Sequence, residues 1–388
     1  MELTKCKLGE LITQRREKND GSDLPICGVS KDGLIPPKQK DADTSIYNVF
    51  YRDDFIFNPA RMELNSIAIN DMYDRAICSS LYEVFYVHRT DLLLPHYLKL
   101  IIRQKWFTRY CEFLGQGSAR EYCRFGNISE IEIEFPPIEE QQKIVDYNTA
   151  IENRIALKQK INDNLEATVQ AIFKSEFIDY ERANYSDYIE FEFGKYPATW
   201  NLVDLDTAVD VRDGTHDSPS PTESGKYLIT SRHLLPYAVD RSDAYFISEA
   251  DFKKANERSK VEYGDILFSM IGTIGIISFI TDKEVDFAIK NVGLFRTSQN
   301  PTIRYFILSY LKSKIVENYI ASYMSGSTQS YVSLNVLRKI PLILPTEDVL
   351  QHFEKQVAPL YASMIENTHE ISKLNDLKDV ITTSLSSR

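Results

Sequence analysis

Cysteine is scarce: the five present (Cys6, Cys27, Cys78, Cys111, Cys123) are odd in number, confined to the first third and never spaced Cys-x-x-Cys. That argues against a disulfide framework or a zinc site and leaves cytoplasmic, reduced thiols as the expectation. Glycine and proline number 15 each in 388 residues, too few for a fibrous or low-complexity chain. Long hydrophobic runs are missing as well. The longest mostly apolar stretch, Ile266 to Ile280, contains two Gly, two Ser and one Thr and falls short of the roughly 18 to 20 residues that span a bilayer. The opening MELTKCKLGELITQRREK has no apolar core of a secretory signal, so neither a membrane nor export is expected. Basic surplus is absent too: 45 Lys plus Arg face 56 Asp plus Glu, a net charge of −11, which counts against a nucleic-acid binder acting alone. What remains, 43% hydrophobic and 26% charged residues, describes a folded chain long enough for two or three domains.

Signs of self-contained catalysis are equally sparse. None of the six histidines forms an i, i+4 pair or lies near a cysteine cluster, so metal catalysis has no anchor. Gly272-Thr273-Ile274-Gly275 lacks the Lys-Ser/Thr of a phosphate loop and reads as a strand turn. Asn58-Pro59-Ala60-Arg61 lacks the aromatic residue of an amino-methyltransferase motif, and Asp286 to Lys290 fits no nuclease core.

The chain repeats itself once. Gly117 to Pro136 (GSAREYCRFGNISEIEIEFP) aligns without a gap on Gly326 to Pro345 (GSTQSYVSLNVLRKIPLILP), and the matches at Ile128/Leu337, Ile131/Ile340, Ile133/Leu342 and Phe135/Leu344 are apolar. Upstream, Asp54-Phe55-Ile56-Phe57 matches Asp265-Ile266-Leu267-Phe268, and Tyr97 to Leu100 matches Tyr305 to Leu308. The starts are aligned as Cys6 onto Trp200. Each half thus predicts short strands, a helix (Pro95 to Arg109 or Pro301 to Ser322), a Gly-Ser loop, a strand pair ending in proline, and a long helix.

Two helices stand out. Ile138 to Phe177 holds no Pro or Gly and carries apolar residues at Ile144, Ile151, Ile155, Ile161, Leu165, Val169 and Ile172. Val349 to Leu385 repeats the pattern at Phe353, Val357, Leu360, Met364, Ile371, Leu374, Leu377 and Ile381. One narrow stripe per helix needs a partner, so the two are expected to pair antiparallel; the other reading is two separate amphipathic helices each lying on its own domain, which a 40-residue helix would overhang. The fold class is therefore α+β: two tandem repeats, each a mixed α/β domain followed by a long helix, with the helices forming an antiparallel coiled coil. The domains are placed at 1–137, 138–180 (central helix), 181–346 and 347–388 (second helix).

Polar loops on this scaffold are the remaining source of function. Asp213-Gly214-Thr215-His216 is a turn rich in hydrogen-bonding groups, and Ser231-Arg232-His233 follows it; Lys31, Lys38, Lys40 and Arg61 lie in the comparable part of the first half. Arg reads guanine, Ser and Thr read any base edge, and Lys grips phosphate. The Gly-Ser loops diverge after their shared start, Ala119-Arg120-Glu121 against Thr328-Gln329-Ser330. That divergence suits one framework holding two different reading heads. Beside the plainer reading of these loops as solvated turns and hairpin-turn chemistry, the candidate DNA contacts are Lys38, Arg61, Arg120 and Arg124 in the first half and Thr215, His216, Arg232, Ser327, Thr328 and Gln329 in the second.

With these residues in view the chain resembles the DNA-specificity subunits of type I restriction-modification systems. The most specific piece is Phe135-Pro136-Pro137-Ile138-Glu139-Glu140-Gln141-Gln142-Lys143-Ile144-Val145, supported by Gly264-Asp265-Ile266-Leu267-Phe268-Ser269 and Asp213-Gly214-Thr215-His216. The second helix start, Leu344-Pro345-Thr346-Glu347-Asp348, departs from the proline pair. The resemblance implies a non-catalytic cytoplasmic protein without cofactor or metal. Each recognition domain reads half of a split site in double-stranded DNA, and the helices set the gap. The partners implied are two modification subunits that bind S-adenosylmethionine and restriction/translocase subunits that use ATP and Mg. Two other readings stand beside it: a fused methyltransferase, for which the duplicated halves leave no room, and a duplicated coiled-coil scaffold without DNA specificity.

Overall fold

The computed structural model describes residues 3–31, 33–37, 43–115, 123–181, 186–191, 194–324 and 331–386. The chain forms two compact units, one of Met1–Ile155 with Lys373–Arg388, the other of Ala156–Ser372.

In the first unit strand Thr4–Lys7 pairs antiparallel with Glu132–Phe135. An antiparallel sheet runs in the order Ile12–Arg15, Glu83–Val87, Phe55–Phe57, Ile67–Ile69. A second sheet, Gly33–Ile35, Ile26–Ser30, Arg75–Cys78, Asn48–Tyr51, has its central pair parallel. Phe55 and Phe85 stack at 5.0 Å and share a core with helices α1 (Pro95–Ile102), α2 (Lys105–Gly115) and α3 (Phe125–Ser129). Helix α4 (Ile138–Phe177) follows the Pro136-Pro137 pair. In the second unit helix α5 (Leu205–Ala208) follows Asn201–Asp204, which pairs with Pro341–Leu344. The main sheet runs Val211–Asp213, Val292–Phe295, Ile266–Ser269, Ile277–Phe279, the topology of the first unit again. A three-stranded sheet again contains one parallel pair, Lys226–Ile229 beside Phe287–Ile289. Helices α6 (Glu249–Ser259), α7 (Arg304–Leu311), α8 (Lys314–Met324), α9 (Leu334–Arg338) and the part of α10 (Glu347–Ser386) up to Ser372 complete the unit's helical set.

The duplication is therefore real, with three corrections. First, the starts align as Leu8 onto Leu205. Each donates its amide to an equivalent carbonyl (Leu8 to Ile131, 2.8 Å; Leu205 to Ile340, 2.9 Å) and each is buried, whereas Leu202, the partner implied by setting Cys6 on Trp200, is exposed. Second, the helix expected over Pro95 to Arg109 is two helices broken at Arg103-Gln104, and its counterpart breaks at Lys312-Ser313, which sets Tyr97 on Phe306 and not on Tyr305. No Gly or Pro marks the break; the carbonyls of Gln104 and Ser313 instead accept the Thr108 and Glu317 amides and restart the chain at a new angle. Third, the strand pair before each proline is a short helix followed by one strand. Asn127 accepts the Arg124 amide at 2.8 Å, and Ser333 caps α9 through the Val336 amide.

The long helices pair antiparallel, as the stripes require. In the first unit Lys378 meets Glu152 at 2.8 Å. In the second Lys158 meets Glu370 at 2.9 Å, and Asn367 donates to Asn162 at 2.8 Å. Val169, Phe173 and Phe177 of α4 pack with Phe353, Val357, Tyr361 and Met364 of α10 in one core. Ile161, assigned to the stripe, is 37% exposed because its neighbour Asn162 takes the inward position, and Leu377 is also exposed.

Candidate nucleic-acid interface

In the first unit Asn58 caps a short turn by accepting the Ala60 amide at 3.0 Å, and the backbone of Arg61 leaves helical geometry (φ −138°, ψ 27°). Asn58-Pro59-Ala60-Arg61 is thus a capped turn that presents an exposed arginine. Glu83 organises the facing wall: one carboxylate oxygen pairs with Arg124 at 3.0 Å and the other accepts the Phe125 amide at 2.7 Å, fixing the start of α3. Arg61 and Arg124 line one cleft of about 1460 Å³ together with Lys31, Arg103, Tyr47 and the Ser79-Ser80 turn. Glu63 and Glu112 are the carboxylates in that lining. Arg103 is committed to the fold through the Ile67 carbonyl at 2.8 Å. Lys38 and Arg120 lie outside the described residues.

The second unit builds its polar turn differently. At Gly214 a Cβ would come within 2.3 Å of the Ile289 carbonyl oxygen, so only glycine lets the turn lie against that strand. The carboxylate of Asp213 is buried; it meets His216 Nε2 at 3.1 Å on one oxygen and Arg258 of α6 on the other. The second ring nitrogen of His216 lies 2.8 Å from Asn291 Oδ1, while Thr215 Oγ1 accepts the Asp217 amide. Asp213 thus fixes His216 and Arg258, whose side chains stay largely exposed, and Lys254 pairs with Asp217 at 2.8 Å. That contact holds the Asp217 carboxyl below its ordinary range. Lys290 closes the group on Ser218. Arg232 belongs to a separate hydrogen-bonded group: its Nε lies 3.1 Å from Nε2 of His233, and its Nη2 donates to the Asp243 carbonyl. His233 is buried, and burial lowers its pKa despite Asp243. Ser327, Thr328 and Gln329 lie outside the described residues.

The structure therefore brings Arg61 together with Arg124, and Thr215 with His216, while Arg232 stands in its own group. Missed in the sequence were Lys254, Arg258 and Lys290, which surround His216. Their signal was faint: Lys253, Lys254 and Arg258 lie on α6, a helix with as many acids as bases. Two motifs prove structural. Asp54 and Asp265 each accept the amide three residues earlier at 2.8 Å, and the residue before each, Asp53 (φ 66°) or Gly264 (φ 88°), is left-handed. Gln141 of the Pro-Pro-Ile-Glu-Glu-Gln-Gln start is fully buried; it accepts the Leu94 amide and donates to the Leu92 and Pro136 carbonyls at 2.7 and 2.8 Å. Among the described residues no group of His, Cys, Asp and Glu converges to hold a metal ion, and no helix is long and apolar enough to cross a membrane.

Two copies of one α+β unit, each feeding a long helix and each presenting exposed cations on rigid turns, define a duplicated recognition scaffold. The type I restriction modification DNA specificity domain matches residues 6–167 and 197–372, and the chain belongs to that family. It is 26% identical over 311 residues to the type I restriction enzyme MjaIX specificity subunit of Methanocaldococcus jannaschii, covering 75% of this chain and 68% of that one. It is 22% identical over 353 residues to the HindI specificity subunit of Haemophilus influenzae, covering 75% and 76%. Among solved structures, the type I restriction-modification S subunit from M. genitalium is similar at a TM-score of 0.57 and 14% identity, covering 99% of this chain and 96% of that one.

Proposed function

We propose that this specificity subunit reads a bipartite site in double-stranded DNA, residues 1–137 recognising one part and 181–346 the other, while the paired helices set the unspecified spacer and dock two modification subunits. The observation that carries the reading is the duplication itself: the sheet order and the buried-aspartate turn are conserved between halves, whereas the polar tips differ. Arg61 and Arg124 are assigned to one half-site, with Lys31 beside them. Thr215, His216 and Arg232 are assigned to the other, and Lys254, Arg258 and Lys290 serve as phosphate contacts. The chain performs no chemistry of its own and works in the cytoplasm; S-adenosylmethionine, ATP and Mg belong to the modification and restriction/translocase subunits. The −11 charge fits a DNA grip shared with those partners.

Methylome sequencing of cells carrying this chain with its modification subunits tests the reading. A methylated motif in two parts with a fixed gap is expected. A scaffold without DNA specificity predicts instead that the modification subunits gain no sequence preference when the chain is added, which a mobility-shift comparison of matched and scrambled duplexes reads directly.

A further inference from the structure

The two halves differ beside the corner between α1 and α2, a place that the recognition reading uses in the first unit, through Arg61, and leaves unused in the second. In the first unit the turn Pro59–Leu64 packs on α2, and Asn65 donates to the Ile102 carbonyl at 2.9 Å and to Thr108 at 3.1 Å, while Arg103 reaches back to the Ile67 carbonyl. Polypeptide thus fills the space beside the α1–α2 corner. The matching helix breaks, and the amides that restart each helix, place Leu311, Lys312, Ser313 and Glu317 at the positions of Ile102, Arg103, Gln104 and Thr108. In the second unit the connection between the corresponding strands is a tight glycine turn (Gly272 φ 76°, Gly275 φ 90°) in place of that capped turn. A cleft of about 980 Å³ lies beside α8 at this place, and all four of those residues line it.

Its walls are largely apolar: Phe268, Ile274 and Ile276 on the sheet side, Val316 and Ile320 on α8, Met364 on α10. Its polar lining is unbalanced. Three carboxylates, Asp163, Glu166 and Glu317, line it with one ammonium, Lys312; Glu317 also meets the exposed Lys314 at 2.6 Å, which leaves Asp163 as the carboxylate at the edge. Lys312 is already committed, 2.6 Å from Glu166 and 2.9 Å from the hydroxyl of Tyr237, which also donates to Glu166 at 2.6 Å. Burial pushes the tyrosine pKa up, so its hydroxyl keeps the proton that it donates to Glu166; burial pulls the lysine pKa down, against the opposing pull of Glu166. The hydroxyl of Ser313, a residue only 4% exposed, meets no partner.

We propose that this cleft is a docking site for a short segment of a partner polypeptide, apolar with a lysine or arginine at its edge, that fills the space the first unit fills with its own Pro59–Leu64 turn. The inference rests on the reading that the chain assembles with modification subunits, and it locates one point of that assembly. The cation of the incoming segment faces Asp163 and Glu317. The acidic lining disfavours DNA as the occupant.

The test uses the full chain and purified modification subunit. Two variants address the cleft independently: Ala321→Trp, which fills it, and Asp163→Lys with Glu317→Lys, which reverses its edge without touching a buried group. Each should weaken association at least about tenfold, the charge reversal more strongly at low salt, with the melting temperature of the chain kept as the control for folding. A photo-crosslinking amino acid at Ile320 should map to a subunit segment bearing Lys or Arg. Changing that residue to Glu should weaken binding to wild type and be rescued by the Lys variant. Unaltered affinity in both folded variants, or a crosslink to DNA or to nothing, overturns the cleft proposal while the assembly reading stands. If wild-type chain and subunit do not associate at all, the assembly reading falls and takes the cleft with it.

Discussion

At the scale of single residues, the strongest family signatures turn out to hold the fold together. Gln141 satisfies three backbone groups inside the first unit, so Gln141→Ala strands them and should cost about 2 to 4 kcal/mol in denaturant unfolding, with the methylated sequence unchanged. The equivalent position in the second half is Leu350, which is buried in the apolar core and makes no such demand. Glu354 gives a pH dependence. Burial, only partly offset by Arg304 at 3.8 Å, raises its pKa from 4.5 to about 7. Between those values the folded chain holds a proton that the unfolded chain releases, so this group's contribution to stability falls as pH rises from about 4.5 to 7. Glu354→Gln removes that slope: its melting temperature should improve relative to wild type on going from pH 5 to pH 8, and a constant difference between the two proteins would refute the assignment. The arginines assigned to DNA were legible as types, but the meeting of Arg61 and Arg124 was not, because it depends on Glu83 and on a turn whose cap is an ordinary asparagine. Arg61→Ala should lose about 1 to 3 kcal/mol at one base position only, read as relaxed methylation there.

Among the elements, the long helices were the most legible. The absence of Pro and Gly and a period near 3.5 placed α4 at its observed ends, and α10 begins two residues before Val349. The sheets were illegible beyond their repetition, because strands of two to five residues pair across long separations, as Ile12 does with Val87. The seam between the helices also departs from a simple apolar stripe where Asn162 meets Asn367. Polar pairs at such positions specify register at a cost in stability. Replacing both asparagines by leucine should raise the melting temperature while letting α4 and α10 slip, visible as mixed products when cysteines placed along the two helices are oxidised. Asn367→Leu alone should destabilise, since it removes one partner from Asn162 and one from Lys158, which meets Asn367 at 2.8 Å and keeps Glu370 at 2.9 Å.

For the molecule as a whole, helix length becomes the testable quantity. Each helix has 40 residues, about 60 Å at roughly 1.5 Å per residue. Four residues inserted into each, near Asn162 and near Asn367, add about 6 Å and close to one turn, so the seam stays nearly in register. At about 3.4 Å per base pair, the methylated site should keep both half-sequences while its spacer grows by one or two, with some affinity lost to DNA twist. An altered half-sequence, or an unchanged spacer in active protein, would show that something other than the helices sets the gap.

The make-up of the first unit carries a consequence for biosynthesis. Its first segment ends at Ile155, yet it also takes in Lys373–Arg388, and Lys378 grips Glu152. On the ribosome, at about 5 to 20 residues per second, the first half of α4 therefore waits roughly 10 to 40 s for its partner, while the second unit, contiguous in sequence, is completed in between. Throughout that interval the face around Ile151, which is buried in the finished protein, stays open to solvent and to chaperones. A released chain truncated after Ser372 should show native-like protease resistance in the second unit and early cleavage within 138–155.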